Sequence, residues 1–194
     1  PPRSTLFPYT TLFRSEKVYC NDWLLNYANR WQKVIDATDK WYNQPKTAQH
    51  RFFTDHIKPF TTKGQRLFII ISDALRYECG WEYLQKIQTE KRFEGELEYM
   101  VSSLPSYTQL GMASLLPNTN MSFQPDSENI LIKGNSTQGV QGRTKILEQM
   151  AGARATAVGA EDFMKMNSAT DGREFVKQYD LIYIYNNRID KVGD

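Results

Sequence analysis

Four side chains stand where chemistry can happen: the carboxylates of Asp73, Asp190 and Asp194 and the hydroxyl of Thr108. Asp73 follows closely on residues 67–71, LFIII, an apolar run too short for a normal helix and rich in β-branched isoleucine. Such a run reads as a strand buried on both faces. Beyond it Ala74, Leu75, Tyr77, Trp81 and Leu84 recur at nearly helical spacing, so Asp73 is either the last residue of the strand or the N-cap of the next helix. Either position puts its carboxylate at the carboxyl edge of a parallel strand, where open α/β sheets bind ligands. A second buried run, residues 180–185 (DLIYIY), leads through Asn186 and Asn187 to Asp190 and Asp194, which gather at the same edge. Thr108 lies between Pro105 and a short apolar helix at residues 110–116 that Pro117 stops. A hydroxyl at a helix N-terminus has backbone N–H groups and the macrodipole beside it, an environment that favours a phosphate. Asp and Thr are also ordinary helix caps, so both positions keep a purely structural alternative.

The elements that must position these groups alternate. After the first strand and its helix, residues 93–103 alternate Leu97, Tyr99 and Val101 with polar positions, predicting a second strand. Residues 118–142 are polar and punctuated by Gly134, Gly139 and Gly142, reading as a surface excursion with Ile130, Leu131 and Ile132 as its strand-like piece. A helix at 143–150, a strand at 153–158 and short helices at 161–166 and 172–178 lead to the last strand. The alternation predicts an α/β sandwich with a mainly parallel sheet.

Upstream lies a helical lead-in, residues 16–62. Trp23, Leu24, Tyr27, Trp31, Val34 and Ile35 form one stripe of an amphipathic helix over 16–41, a face for core packing or docking. Asn43, Gln44 and Pro45 interrupt it, and residues 47–57 form a second helix before Pro59. His50 and His56, the only histidines, are six apart and do not share the helix face that an i, i+4 metal pair needs. Residues 1–15, PPRSTLFPYTTLFRS, repeat Thr-Leu-Phe and resemble translated sequencing-adaptor sequence; they are set aside as non-native. The domain division expected is therefore 1–15, 16–62 and 63–194.

Composition excludes several classes. With 40% hydrophobic and 13% aromatic residues the chain can build a core, and no apolar run approaches the ~20 residues of a membrane helix. Cys20 and Cys79 form neither a disulfide framework nor a metal-spaced pair, which points to a reducing cytoplasm. Of 24 basic and 22 acidic residues, Arg3 and Arg14 fall in the first fifteen positions, and the rest is balanced. Bulk charge gives no support for nucleic-acid binding.

Three segments together carry a family resemblance: IIISDALRYE (69–78), LPSYTQLGMASLLP (104–117) and YIYNNRIDKVGD (183–194). They resemble the PglZ domain, the phosphatase-like component of BREX phage-resistance systems and a relative of alkaline phosphatases. The resemblance covers residues 66–194 and implies an alkaline-phosphatase-like sandwich with a site for two divalent metal ions. By it, Asp73 and Thr108 bind one metal and Asp190 and Asp194 the other. Thr108 is the nucleophile that takes a phosphoryl group from a phosphate ester and returns it to water. A bound metal would lower the pKa of its hydroxyl, and paired ions would stabilise both attacking and leaving oxygens. Zinc is the expected ion, with manganese or magnesium as alternatives for an all-oxygen ligand set. Ser106 is a rival hydroxyl, and Arg76, one turn into the helix after Asp73, is a phosphate contact or a structural ion pair. The resemblance also implies other BREX proteins as partners and a role in antiviral defence.

The departures carry weight too. Relatives place a His beside the position of Asn186 or Asn187 and close the metal site with a downstream Asp-His pair, whereas this chain has no His after His56. The expectation is a fragment, truncated at the C-terminus, with an incomplete metal pair and no catalysis alone. Two other readings stand beside it: a non-catalytic assembly or nucleic-acid-docking platform, and a phosphodiesterase or nuclease of the same fold.

Overall fold

The computed structural model describes residues 9–38, 47–151 and 154–193. The chain divides into two compact units, Pro1–Gln44 and Pro45–Asp194.

In the first unit, helix α1 (Tyr9–Lys17), a wide π-helical segment (Val18–Leu24) and helix α2 (Leu25–Asp36) run on without a break. Side chains four apart stack: Tyr19 on Trp23 with ring centroids 5.5 Å apart, and Trp23 on Tyr27 at 5.7 Å. The aromatic stripe builds no core, because Trp23, Tyr27 and Val34 are all more than half exposed.

The second unit is organised around β6 (Leu181–Asn186), whose run of isoleucine, leucine and tyrosine suits a strand covered on both faces. Leu181, Ile182 and Tyr183 are fully buried. On one side β6 pairs in parallel with β1 (Leu67–Ser72) and on the other with β5 (Ala155–Gly159), giving the order β1-β6-β5. Register places Ser72 opposite Asn186, and Gly159 opposite Tyr185, so all three strands end at one edge. The expected α/β class with a parallel sheet and a helical lead-in is what the chain forms.

Local expectations fare unevenly. β1 is not buried on both faces: Ile69 and Ile71 pack on the core, but Phe68 is 42% and Ile70 70% exposed. β1 is an edge strand, and α4 (Tyr77–Thr89), the helix after it, buries none of its residues. The strand expected at 93–103 does not form. Its alternation finds no ladder, only a single parallel bridge between Ala48 and Val101, with Tyr99 left exposed. The region 118–142 is more than a surface excursion. It folds into a small antiparallel sheet of β2 (Met121–Phe123), β3 (Ile130–Ile132) and β4 (Asn135–Ser136). Ile130 and Ile132 enter the main core with Leu110, Leu116, Ile146 and Leu147.

Residues 47–62 pack with the sheet. A 3-10 turn (Gln49–Arg51), a π-helical turn (Phe53–Ile57) and helix α3 (Lys58–Thr61) place Phe53 and Ile57 in the same core, and Pro59 sits within the first turn of α3. Helices α5 (Thr108–Ser114), α6 (Gly139–Met150), α7 (Ala160–Lys165), α8 (Asp171–Gln178) and α9 (Arg188–Gly193) complete the unit. Among the described residues no helix is long and apolar enough to cross a membrane.

Candidate active site

The strand ends gather the chemistry. β1 stops at Ser72, and Asp73 lies in the turn beyond it rather than capping α4, whose N-cap is Arg76. Arg76 is thus at the start of that helix and not one turn inside it. The Asp73 N–H donates to the Asn186 carbonyl at 2.9 Å, prolonging the β1–β6 ladder by one bond, and its Oδ1 accepts from the Ala74 N–H at 3.0 Å. Ala74 has φ +59°, a left-handed conformation that costs a residue with a Cβ roughly 1–2 kcal/mol. The turn therefore carries strain immediately beside the carboxylate.

Asn186 fixes the opposite side. Its Nδ2 donates to Ser72 Oγ at 3.2 Å, and its Oδ1 accepts from the Arg188 N–H at 3.2 Å, at the start of α9. One amide thus ties the ends of two strands to the short helix that carries Asp190 in its first turn.

Thr108 opens α5. Leu110 and Ala113 bury that helix in the core, Ser114 and Ser103 share a hydrogen bond of 2.7 Å, and the Tyr183 hydroxyl of β6 donates to the Leu115 carbonyl at 2.9 Å. These anchors hold the start of α5 over the strand ends. Asp73, Thr108 and Asp190 line one cavity of about 360 Å³, with Asn186 and Asn187 between them. Ser106 is exposed and does not line it; Asp194 lies outside the described residues.

Three further residues of the cavity wall have no signal in the sequence reading: Gln109, Arg143 and Tyr185. By sequence Arg143 is the first residue of a helix expected at 143–150. In the fold, α6 begins earlier, and Gly142 lets it approach β4 so closely that a Cβ there would collide with the Ser136 carbonyl. Arg143 is consequently buried; its Nε donates to the Thr137 carbonyl at 2.9 Å, and its guanidinium lies over the Tyr185 ring, 4.2 Å from the centroid. Thr144, next along α6, exchanges hydrogen bonds with the backbone of Ala157 and fixes the helix on β5. Burial pushes the Tyr185 hydroxyl far above the ordinary tyrosine range, while nearby Arg143 opposes the shift. The group is neutral throughout the physiological range.

The donor set for a cation is oxygen only: two carboxylates and a hydroxyl, of the kind that hard divalent ions accept. Among the described residues no three His, Cys, Asp or Glu side chains converge as a metal cluster, and neither histidine lines the cavity.

The parallel sheet has two acids and a hydroxyl at its carboxyl edge, and the match of residues 52–194 to the BREX system PglZ alkaline phosphatase-like domain decides the family. The chain belongs to the PglZ family. It is 38% identical over 185 residues to the alkaline phosphatase-like protein BrxZ of Escherichia coli O9:H4 (strain HS), covering 92% of this chain and 21% of that protein. It is 32% identical over 181 residues to the alkaline phosphatase-like protein PglZ of Bacillus cereus (strain H3081.97), again covering 92% of this chain and 21% of that protein. The chain thus spans about a fifth of the length of these PglZ relatives. No solved structure matches it significantly.

Proposed function

We propose that this chain carries part of the phosphoryl-transfer site of a metal-dependent phosphohydrolase of the PglZ type, serving in BREX phage defence with other BREX proteins. The observation that supports it is the convergence of Asp73, Thr108 and Asp190, from three separate segments, on one cavity at the sheet's carboxyl edge. Family membership gives that convergence a reaction.

Thr108 Oγ1 attacks phosphorus, the bond to the leaving oxygen breaks, and the leaving group departs with a proton as an alcohol. Water then cleaves the phosphothreonine. The Thr108 hydroxyl makes no hydrogen bond among the described residues, and its exposed position leaves it open to an incoming ester. Asp73 is held rigidly by its backbone bond to Asn186, and Asp190 by the capped start of α9. Asp73, Thr108 and Asp190 would hold the divalent ions, with Asp194 completing the set. When bound, such ions supply charge neutralisation and an activated hydroxyl. Among the described residues the donors are oxygens, which suit manganese or magnesium and which zinc, the ion expected from the resemblance, also accepts.

The test is hydrolysis of a generic phosphomonoester and a generic phosphodiester by the chain extended to the length of its relatives, with zinc, manganese or magnesium. Thr108→Ala and Asp73→Asn should each reduce turnover at least a hundredfold, while Ser106→Ala stays near wild type. Undiminished turnover in Thr108→Ala would remove the nucleophile assignment. The preferred ester distinguishes a phosphatase from a phosphodiesterase of the same fold.

A docking platform is a second reading, favoured by the exposed ladder of Tyr19, Trp23 and Tyr27. Trp23→Ala with Tyr27→Ala should then abolish phage defence and leave hydrolysis intact; intact defence would exclude this role for the stripe.

A further inference from the structure

The described residues contain two buried side-chain polar atoms without a hydrogen bond, Gln109 Oε1 and the Tyr185 hydroxyl, and both belong to residues of the same cavity wall. A buried polar atom without a partner is costly, and native folds leave few of them. Two on one wall point to something that binds there.

Arg143 strengthens the case. It is 9% exposed, yet no carboxylate among the described residues forms an ion pair with it; its Nε donates to the Thr137 carbonyl, and its guanidinium lies close enough to the Tyr185 hydroxyl to oppose the rise of that group's pKa. An unpaired buried cation is unfavourable unless an anion completes it. The stack on Tyr185 and the bond to Thr137 fix the plane of the guanidinium, leaving its outer N–H fork for two oxygens of one planar or tetrahedral anion. The three groups come from three elements, α5, α6 and β6, so no local turn or cap accounts for them.

We propose that Arg143 and Tyr185 form an oxyanion subsite that binds the phosphoryl group of the substrate independently of metal, with Gln109 accepting a hydrogen bond from its P–OH or from a hydroxyl of the ester. The inference deepens the phosphohydrolase reading and rests on it for the identity of the anion. Arg143 supplies charge and a two-pronged donor. Tyr185 stays protonated and donates without adding charge. Gln109 offers an acceptor, which selects phosphate in a protonated form over sulfate, since sulfate has no hydrogen to donate at neutral pH.

The experiment is calorimetric titration of the chain with inorganic phosphate in the presence of a chelator. Saturable binding is expected. Tyr185→Phe should weaken it about tenfold while thermal stability holds or rises, because the change deletes only an unpaired hydroxyl. Arg143→Lys, which keeps the charge and loses the fork, should weaken it by about tenfold or more. Ser106→Ala, outside the cavity, should bind phosphate as wild type does, and sulfate should compete poorly. Absence of saturable binding, or unchanged affinity in folded Tyr185→Phe and Arg143→Lys, would overturn the subsite. Sulfate competing as well as phosphate would remove Gln109 from it. Phosphate binding lost in these two variants, in a protein whose hydrolysis ignores Thr108, would sink the phosphohydrolase mechanism and leave the subsite standing.

Discussion

Asn186 and Ser72 face each other across the ends of β6 and β1, joined by a hydrogen bond of 3.2 Å between the amide Nδ2 and the hydroxyl. The same amide accepts from the Arg188 N–H, so one side chain links the segments that present Asp73 and Asp190. Asn186→Ala removes both bonds and should cost about 1–3 kcal/mol, and Ser72→Ala about 0.5–1.5 kcal/mol. A double-mutant cycle by urea unfolding should give a coupling energy near 1 kcal/mol; full additivity would mean that the bond contributes nothing.

The turn after Asp73 supplies a second prediction. Ala74 occupies the left-handed region, where glycine has no Cβ to clash. Ala74→Gly should stabilise the fold by up to about 1 kcal/mol after the entropy of the freer unfolded chain is subtracted, and Ala74→Val should destabilise it by more than that. Midpoints of denaturant unfolding decide both; a destabilised Ala74→Gly would show that the left-handed turn is wrongly assigned.

Residues 47–62 belong to the core of the sheet unit, as Ile57, 1% exposed, shows. Ile57→Ala should cost about 2–5 kcal/mol, whereas a surface change nearby such as Lys58→Ala should stay within about 0.5 kcal/mol. Equal, small effects would place this segment outside the cooperative unit.

Stability should fall at both ends of the pH scale, for separate reasons. Arg154 donates two hydrogen bonds to the Asp180 carboxylate at the start of β6, holding it below the usual carboxylate range. A depressed folded pKa contributes stability that is present above the unfolded carboxylate value and lost as pH falls through the lower folded one. The pair is solvent-exposed, so the contribution is small and screened by salt. Asp180→Asn should lower Tm slightly at pH 7 and not at all once pH is below the folded pKa. Tyr183 and Tyr185 behave oppositely, because burial raises both above the ordinary value. Their contribution is complete below about pH 10, the value in the unfolded chain, and is lost as pH rises beyond it. Tyr185→Phe should therefore flatten the alkaline fall in Tm.

Much of this was readable from residue types. The runs at 67–71 and 180–185 announce parallel strands, and the sequence places Asp73 and Asp190 beyond their ends, where both line one cavity, because strand runs and strand ends are local properties of sequence. Exposure of Phe68 and Ile70 was not readable: an edge strand and a central one share the same apolar run, and only the order β1-β6-β5 separates them. The alternation at 93–103 misled for a related reason, since period two gives a strand only where a ladder exists to receive it. Arg143 escaped notice because its burial depends on Gly142 admitting α6 against β4, a contact between elements that no local pattern encodes. Tyr185 looked like one more apolar strand residue, and its hydroxyl became informative only when its surroundings were known.

The parallel register of β1 on β6 also acts as a length standard for the gene. Strand side chains alternate faces, so one inserted or deleted codon within residues 67–72 would exchange the core-facing Ile69 and Ile71 with the open face and carry Asp73 away from its bond to Asn186. Length changes in the coil at 90–104, which joins no ladder beyond one bridge, leave that register untouched. Insertions and deletions in natural variants should accordingly collect in the coil and spare the two strands, even where their residues are freely exchanged.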